Sequence, residues 1–343
     1  MALALLNSRL PIVAAPMAGG PSTVALARAV ASAGAFPFLA GGYKATDALA
    51  AEIEQLRPLG VGFGVNLFVP SRATIDRTVF AAYATEVQPE ADAHGLRLDP
   101  VPVVDDDDSW ADKLALLIDR PVPVVSVTFG LPDRRDVAAL RAVGTRVLAS
   151  VTTPEEAILA RDAGVDGLVV QGPDAGGHSA TFDGTRTPEP VDTAALVARV
   201  RRSIGLELIA AGGVDGPDAV RRLLAAGANG VAVGTLLLRT DEAGTSRTHR
   251  AALADPTFTE TAMTRAFTGR PARALRNGFV ARHRGIDAYP AVHHLTRELR
   301  QAASRAGDAD RVHLWAGTGF RNAPTGPAGE AIRQLAAPSC FTS

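Results

Sequence analysis

The chain has 343 residues, 47% hydrophobic and 21% charged, which is material for a sizeable folded core. Its 35 basic and 36 acidic side chains leave a formal charge of -1, so no net field draws it to nucleic acid or an anionic membrane, and a small molecule is the expected partner. The one cysteine, Cys340, excludes an intramolecular disulfide and a cysteine-based metal centre, and a reducing cytoplasm is the expected compartment.

The stretch from Met1 to Arg9 is apolar but has neither the basic leader nor the length of a signal peptide. No run reaches the roughly 18 apolar residues that span a bilayer. Beyond it, short apolar runs alternate with longer helical patterns, as in repeated βα units around a parallel sheet. Eight such runs predict strands at 10–14, 36–40, 61–65, 122–127, 145–149, 167–170, 206–210 and 230–233. They are near-continuously apolar, as strands buried on both faces are. Helix starts are signalled by Ser22-Thr23, by Thr152-Thr153-Pro154-Glu155 and by Asp215-Gly216-Pro217-Asp218. Glycine follows several helices, as in Ala33-Gly34-Ala35 and Ala226-Gly227-Ala228. The expected fold is α/β, a TIM (β/α)8 barrel with a helical insertion after the eighth strand.

Two stretches break the rhythm. Residues 71–108 interrupt the third βα unit and end in Asp105-Asp106-Asp107-Asp108, read as a solvated loop ahead of a helix start rather than a cation site. Residues 240–325 read as helices and loops over the catalytic end, a lid or substrate wall, with the barrel formed by 1–239 and 326–343.

The chemistry-bearing motifs sit at strand ends. The first strand runs into Ala15-Pro16-Met17-Ala18-Gly19-Gly20, where glycine allows backbone to approach a ligand. The third ends at Asn66, either the cap of its own loop or a hydrogen-bonding partner for a heterocycle edge. After the sixth comes Gln171-Gly172-Pro173-Asp174-Ala175-Gly176-Gly177-His178, a histidine where barrel enzymes carry catalytic groups. The seventh and eighth end in Gly212-Gly213 and in Ala232-Val233-Gly234-Thr235, where barrels build phosphate sites from backbone N–H groups. No metal site is expected: His293 and His294 are adjacent, and the other histidines lack ligand spacing.

Together these motifs, with Thr268-Gly269-Arg270-Pro271-Ala272-Arg273 and Leu314-Trp315-Ala316-Gly317-Thr318-Gly319, resemble the nitronate monooxygenase family over nearly the whole chain. The resemblance implies FMN as cofactor, with Met17 and Asn66 near its ring system and Gln171 and Gly176 along the flavin. Gly212, Gly213, Ala232, Val233, Gly234 and Thr235 would hold the phosphate. His178 falls on the family's catalytic histidine, and Asp174 stands where members usually have glutamate. The implied reaction oxidises an alkyl nitronate, propionate 3-nitronate foremost, with O2 to a carbonyl compound and nitrite or a related nitrogen species. His178 is then an anion-binding group toward nitronates and a general base toward neutral nitroalkanes, with an ordinary pKa near 6.5 expected.

For a carboxylate on the substrate, Lys44 is one candidate and the face Tyr289, His293, Arg297 another, unless that spacing marks only a surface helix. Two other readings stay open. One is an NAD(P)H-dependent flavin reductase, of the enoyl-thioester or NADH:quinone type; the other is a non-catalytic FMN-binding protein. A homodimer is compatible with either.

Overall fold

Apolar runs of three to six residues can bury both faces only inside a parallel sheet covered by helices, and each predicted run forms such a strand. The computed structural model describes residues 3–70, 74–103 and 105–337. In chain order the strands are β1 (Ile12–Ala14), β2 (Phe38–Ala40), β3 (Gly64–Phe68), β4 (Val124–Thr128), β5 (Arg146–Val151), β6 (Gly167–Gln171), β7 (Gly177–His178), β8 (Glu207–Ala211), β9 (Gly230–Val233), β10 (Thr261–Thr264) and β11 (Ala272–Leu275). The order β1-β9-β8-β6-β5-β4-β3-β2 is parallel throughout, and a bridge between Val13 and Phe36 closes it into an eight-stranded barrel.

The helices are α1 (Val24–Ser32), α2 (Thr46–Leu56), α3 (Arg77–Asp92), α4 (Trp110–Asp119), α5 (Arg134–Ala142), α6 (Pro154–Ala163), α7 (Thr193–Ser203), α8 (Pro217–Ala225), α9 (Arg247–Ala254), α10 (Gly278–Arg282), α11 (Ala291–Ala306) and α12 (Ala328–Ala336). Thr23 and Thr153 cap α1 and α6 with their hydroxyls, as the sequence signals anticipate. No helix among the described residues is long and apolar enough to cross a membrane.

Strand residues alternate between two cores, as a period of two requires. Ile12, Ala14, Val65, Leu67, Val125 and Val127 face the helices. Val13, Phe38, Val124, Leu148 and Ile209 fill the barrel, where they meet Leu3, Leu5 and Leu6 of the N-terminal stretch. That stretch is apolar because it plugs the barrel.

The chain leaves the barrel after β9 and returns where Thr240 bridges to Gly326, and α12 then packs between α8 and α1 to complete the helical ring. The intervening segment is not purely helical, which corrects the expectation of a helical insertion. Its β10 and β11 pair antiparallel, and β11 pairs in turn with β7, placing Ala272 opposite His178 and Arg273 opposite Gly177. Ala272-Arg273-Ala274-Leu275 has good helix formers, but the open edge offered by β7 overrides that preference.

The two interruptions of the βα rhythm pack on each other. Phe80, Tyr83 and Val87 from α3 share a core with Phe267, Phe279 and Leu299, and the Tyr83 hydroxyl donates to the Ala266 carbonyl at 2.6 Å. Phe267, fully buried, stacks on Phe279 with ring centroids 4.5 Å apart. Truncating it to alanine should therefore destabilise the protein by about 3–5 kcal/mol. Urea unfolding of Phe267→Ala against wild type measures this, and a loss below ~1 kcal/mol would mean that the lobe contributes little to the fold.

Candidate active site

At the C-terminal ends of the barrel strands lies a cavity of about 710 Å³, walled by the strand ends and by the segment between β9 and α12. Every residue expected at a cofactor lines it: Met17, Asn66, Gln171, Gly176, Gly212, Gly213, Ala232, Val233, Gly234 and Thr235. The barrel interior is apolar low down and polar at this end. Asn66 donates from Nδ2 to Ser126 Oγ (2.9 Å) and Thr128 Oγ1 (3.0 Å), and Thr128 meets Ser150 at 3.3 Å, a hydrogen-bonded belt at the base of the cavity. The amide of Asn66 is thus fixed across strands rather than capping its own loop.

Beyond β8 the backbone comes close to its neighbours. Gly212 has φ +106°, and a Cβ there would lie 2.8 Å from the Ala175 nitrogen; at Gly176 a Cβ would lie 2.5 Å from the Gly317 nitrogen. A larger residue at either place would push apart the backbone turns that form the wall of the cavity. Thr235 accepts the Gly317 N–H on its hydroxyl at 2.9 Å, and Thr318 N–H donates to the Asp174 carbonyl at 3.1 Å. The Leu314 to Gly319 segment is thereby fastened to the turns of both β6 and β9.

His178 is held from several sides. Gln171, at the end of β6, donates from Nε2 to the His178 carbonyl (3.1 Å) and accepts the Ala180 N–H on Oε1 (2.7 Å), so its carboxamide spans the intervening turn. Arg273 Nε donates to the Pro173 carbonyl at 2.7 Å. The imidazole Nε2 lies 2.9 Å from the Thr268 hydroxyl, and its other ring nitrogen has no protein partner among the described residues. Around the ring stand Phe129, Tyr289 and Trp315, with centroids 5.6, 5.8 and 5.3 Å away, and Tyr43 at 6.5 Å. Arg270 lies over the Phe129 ring at 4.1 Å and donates to the Ser179 and Thr181 carbonyls.

The electrostatics correct one expectation. Burial, reinforced by the positive charges of Arg270 and Arg300, pushes the His178 pKa down to about 3 instead of leaving it near its ordinary value. The imidazole is neutral at neutral pH. His249, on the same cavity, is pushed down to about 4 by burial, and His293 and His313 are lowered too, chiefly by burial and then by Arg300. Burial keeps the phenols of Tyr43 and Tyr289 protonated.

The four substrate candidates fare differently. Lys44 lines the cavity, but its ammonium pairs with Glu52 at 2.5 Å. His293 is buried and stacks on Tyr43 at 4.0 Å and 10°. Arg297 is exposed at the cavity rim. Tyr289 does not share a helical face with them: α11 begins at Ala291, after Pro290, whose missing N–H suits a helix start. It reaches the site from the preceding loop, its hydroxyl donating to Tyr43 Oη at 3.2 Å.

The acidic run is more than a solvated loop, since Asp106 and Asp108 line the cavity. Asp106 meets His294 Nε2 at 2.7 Å; Asp108 pairs with Lys113 at 2.9 Å and accepts the Tyr43 N–H at 2.8 Å. The sequence reading missed Tyr43, Phe129, Thr268, Arg270, Arg300 and Trp315 as individual site residues. Two carried a usable signal: Tyr43 and Phe129 follow the C-terminal ends of β2 and β4, the catalytic end of any barrel. No cluster of three or more metal-ligating side chains occurs among the described residues.

Comparison with known proteins agrees with this geometry. A family model described as Nitronate monooxygenase matches residues 3–337. A "Probable nitronate monooxygenase" of Staphylococcus saprophyticus is 34% identical over 322 residues, 91% of this chain and 90% of that one. Its counterpart in Staphylococcus aureus (strain Newman) is 32% identical over 330 residues, 94% and 92% of the two chains. Among solved structures, nitroalkane oxidase from Streptomyces ansochromogenes superposes with TM-score 0.91 at 45% identity, over 96% of this chain and 95% of that one. FabK from Thermotoga maritima gives TM-score 0.73 at 25% identity, over 96% and 93%. The chain belongs to the nitronate monooxygenase family, a family of flavin-dependent enzymes.

Proposed function

We propose that this protein binds FMN and oxidises alkyl nitronates with O2, propionate 3-nitronate foremost, to a carbonyl compound and nitrite or a related nitrogen species. The observation that carries the reading is a neutral imidazole, fixed by both barrel and insertion, on the same cavity as the glycine turns of β8 and β9. The likeness to a nitroalkane oxidase at 45% identity supports chemistry at a nitro group.

The residues fit FMN. The cavity wall is open at Gly177, where a Cβ would meet no atom within 4 Å, and uncrowded at Gly213 and Gly234, where the nearest atom would lie 3.5 Å away, so backbone there is free to meet a ligand. Gly212, Gly213, Ala232, Val233, Gly234 and Thr235 would hold the phosphate, with Met17 and Asn66 at the ring system and Gln171 and Gly176 along its length. The bound flavin supplies two-electron oxidation of the substrate and delivery of electrons to oxygen. The protein's own part is to place and shield the nitro compound. Phe129, Tyr289 and Trp315 exclude water around the imidazole. His178 hydrogen-bonds the nitronate oxygens and stabilises charge that develops there. A nitronate has already lost its carbon proton, so a weakly basic imidazole serves it well. A neutral nitroalkane needs that proton removed, and the lowered pKa makes His178 a poor base for it.

A second reading, an NAD(P)H-dependent flavin reductase on the same barrel, would use a flavin in the same cavity. An aerobic assay of the purified protein with propionate 3-nitronate, ethylnitronate and NADH in parallel separates the two. Nitronate turnover with slow NADH oxidation is expected; rapid anaerobic bleaching of the flavin by NADH, without nitronate turnover, would establish the reductase instead.

Gly212→Ala, which forces a Cβ against Ala175 at φ +106°, should purify largely without flavin, read from the ratio of visible flavin absorbance to protein. Full flavin content in that variant would move the cofactor away from the β8 turn.

His178→Asn should keep its flavin while losing about 100-fold in turnover of preformed nitronates, whose charge the imidazole stabilises, and no more than that with neutral nitroalkanes. The pH profile gives an independent reading. A base with a pKa near 6.5 would lose its active form as pH falls, cutting kcat/KM about tenfold per unit below it. With the pKa at about 3, the wild-type profile for a nitroalkane should show no such acid limb. An acid limb near 6.5 that vanishes in His178→Asn would overturn the neutral imidazole.

A further inference from the structure

We propose that Arg300 is the specificity-determining residue of this cavity, receiving a planar two-oxygen anion of the substrate, its carboxylate or its nitronate group. The inference deepens the reading above and rests on it only for the identity of the substrate. Arg300 projects from α11 onto the cavity wall and is 5% exposed. Its Nε donates to Thr296 Oγ1 at 2.9 Å and its Nη2 to the His293 carbonyl at 2.9 Å, with His293 Nδ1 3.3 Å away. These contacts orient the guanidinium and leave Nη1 without a protein acceptor among the described residues.

No carboxylate among those residues forms an ion pair with Arg300 within 4.0 Å. The neighbouring groups cannot replace one. His178, His293 and His313 are neutral, and the Tyr43 phenol stays protonated. Of the three acids on the cavity wall, Asp108 is engaged by Lys113, Asp106 by His294, and Asp174 lies in the turn after β6 near Arg273. The guanidinium keeps its charge at neutral pH even so, since burial lowers its pKa only to about 10. A buried cation without a counterion is costly, whereas one meeting an anion with a free N–H makes a charge-assisted hydrogen bond. The glycine turns of β8 and β9 already provide for a phosphate, while Arg300 sits with His293 and Tyr43 beside His178. Arg297, exposed at the rim one helical turn before it, adds positive charge at the mouth.

The test uses the flavin-loaded enzyme titrated with propionate and with its neutral counterpart propionamide, read by flavin absorbance and by the fluorescence of Trp315 beside His178. Wild type should bind propionate at least about tenfold more tightly, and Arg300→Gln should weaken propionate binding about 10- to 100-fold with flavin content unchanged. Arg300→Lys, which keeps the charge without the planar fork, should fall between. Turnover of propionate 3-nitronate against propyl-1-nitronate then locates the contact: a loss in Arg300→Gln confined to the first assigns the carboxylate, and an equal loss on both assigns the nitronate. Equal wild-type affinity for propionate and propionamide would overturn the proposal, as would undiminished propionate binding by Arg300→Gln. If that variant does not fold, the wild-type contrast and Arg300→Lys decide. If no nitro compound is turned over while propionate still binds through Arg300, the nitronate reading fails and the anion site stands.

Discussion

Gln171 uses both ends of its carboxamide on the segment that carries His178, donating to the carbonyl of the histidine and accepting the N–H of Ala180. The turn between them is rich in glycine and has little stiffness of its own, so these two bonds convert a pliant loop into a fixed offset from β6. The far side of the segment is fixed by β11, whose Ala272 pairs with His178, and by the Thr268 hydroxyl on the imidazole. The imidazole is therefore positioned by two structural units at once, the barrel through β6 and the insertion through β11. The catalytic role proposed for it requires placement to within a fraction of an ångström, and this double suspension serves that requirement.

The same arrangement sets the electrostatics. Packing the half-buried imidazole among Phe129, Tyr289 and Trp315 limits its contact with water, and Arg270, which anchors the Ser179 to Thr181 backbone, adds its charge nearby. Structure and pKa are linked through Arg270, which both anchors the backbone that follows His178 and helps hold the imidazole neutral. Four neutral histidines beside buried guanidiniums make a cavity that suits an anion and disfavours a cation. A nitronate, anionic at its reacting atoms, matches that field better than a neutral nitroalkane does.

The barrel was legible because its signals are local. Apolar runs such as Val124 to Val127 and glycines such as Gly34 and Gly164 report burial and turn geometry within a few residues of themselves. The glycine turns at β8 and β9 were readable for the same reason, and so was His178, from its place after a strand. The remainder depends on contacts distant in sequence. The strand at Ala272–Leu275 exists only because β7 offers an edge some ninety residues earlier. Arg300 looks like a surface charge on an amphipathic helix until α3, Phe267 and Tyr43 enclose that face of it. Lys44 is a candidate on its charge, but Glu52, in the second turn of α2, takes up that charge, and the ring of its neighbour Tyr43 is what reaches the imidazole.

The segment over the barrel mouth is the natural place to look for a lid, and its attachments limit how it can move. Its β11 pairs with the strand bearing His178, its Thr268 bonds the imidazole, and Gly317 and Thr318 are tied to Thr235 and Asp174. Swinging the whole segment away would break the hydrogen bonds that define the site. It is also joined through the Phe267 core to α3, so it cannot move without the excursion between β3 and β4. Access is more easily opened at the rim, where Arg297 is exposed and His294 meets Asp106 through side chains alone. Rotamer changes there cost far less than unpairing a sheet. The fold separates the two demands in this way: backbone pairing fixes the imidazole, and the side chains on α11 and on the acidic loop are left as the less constrained part of the cavity rim.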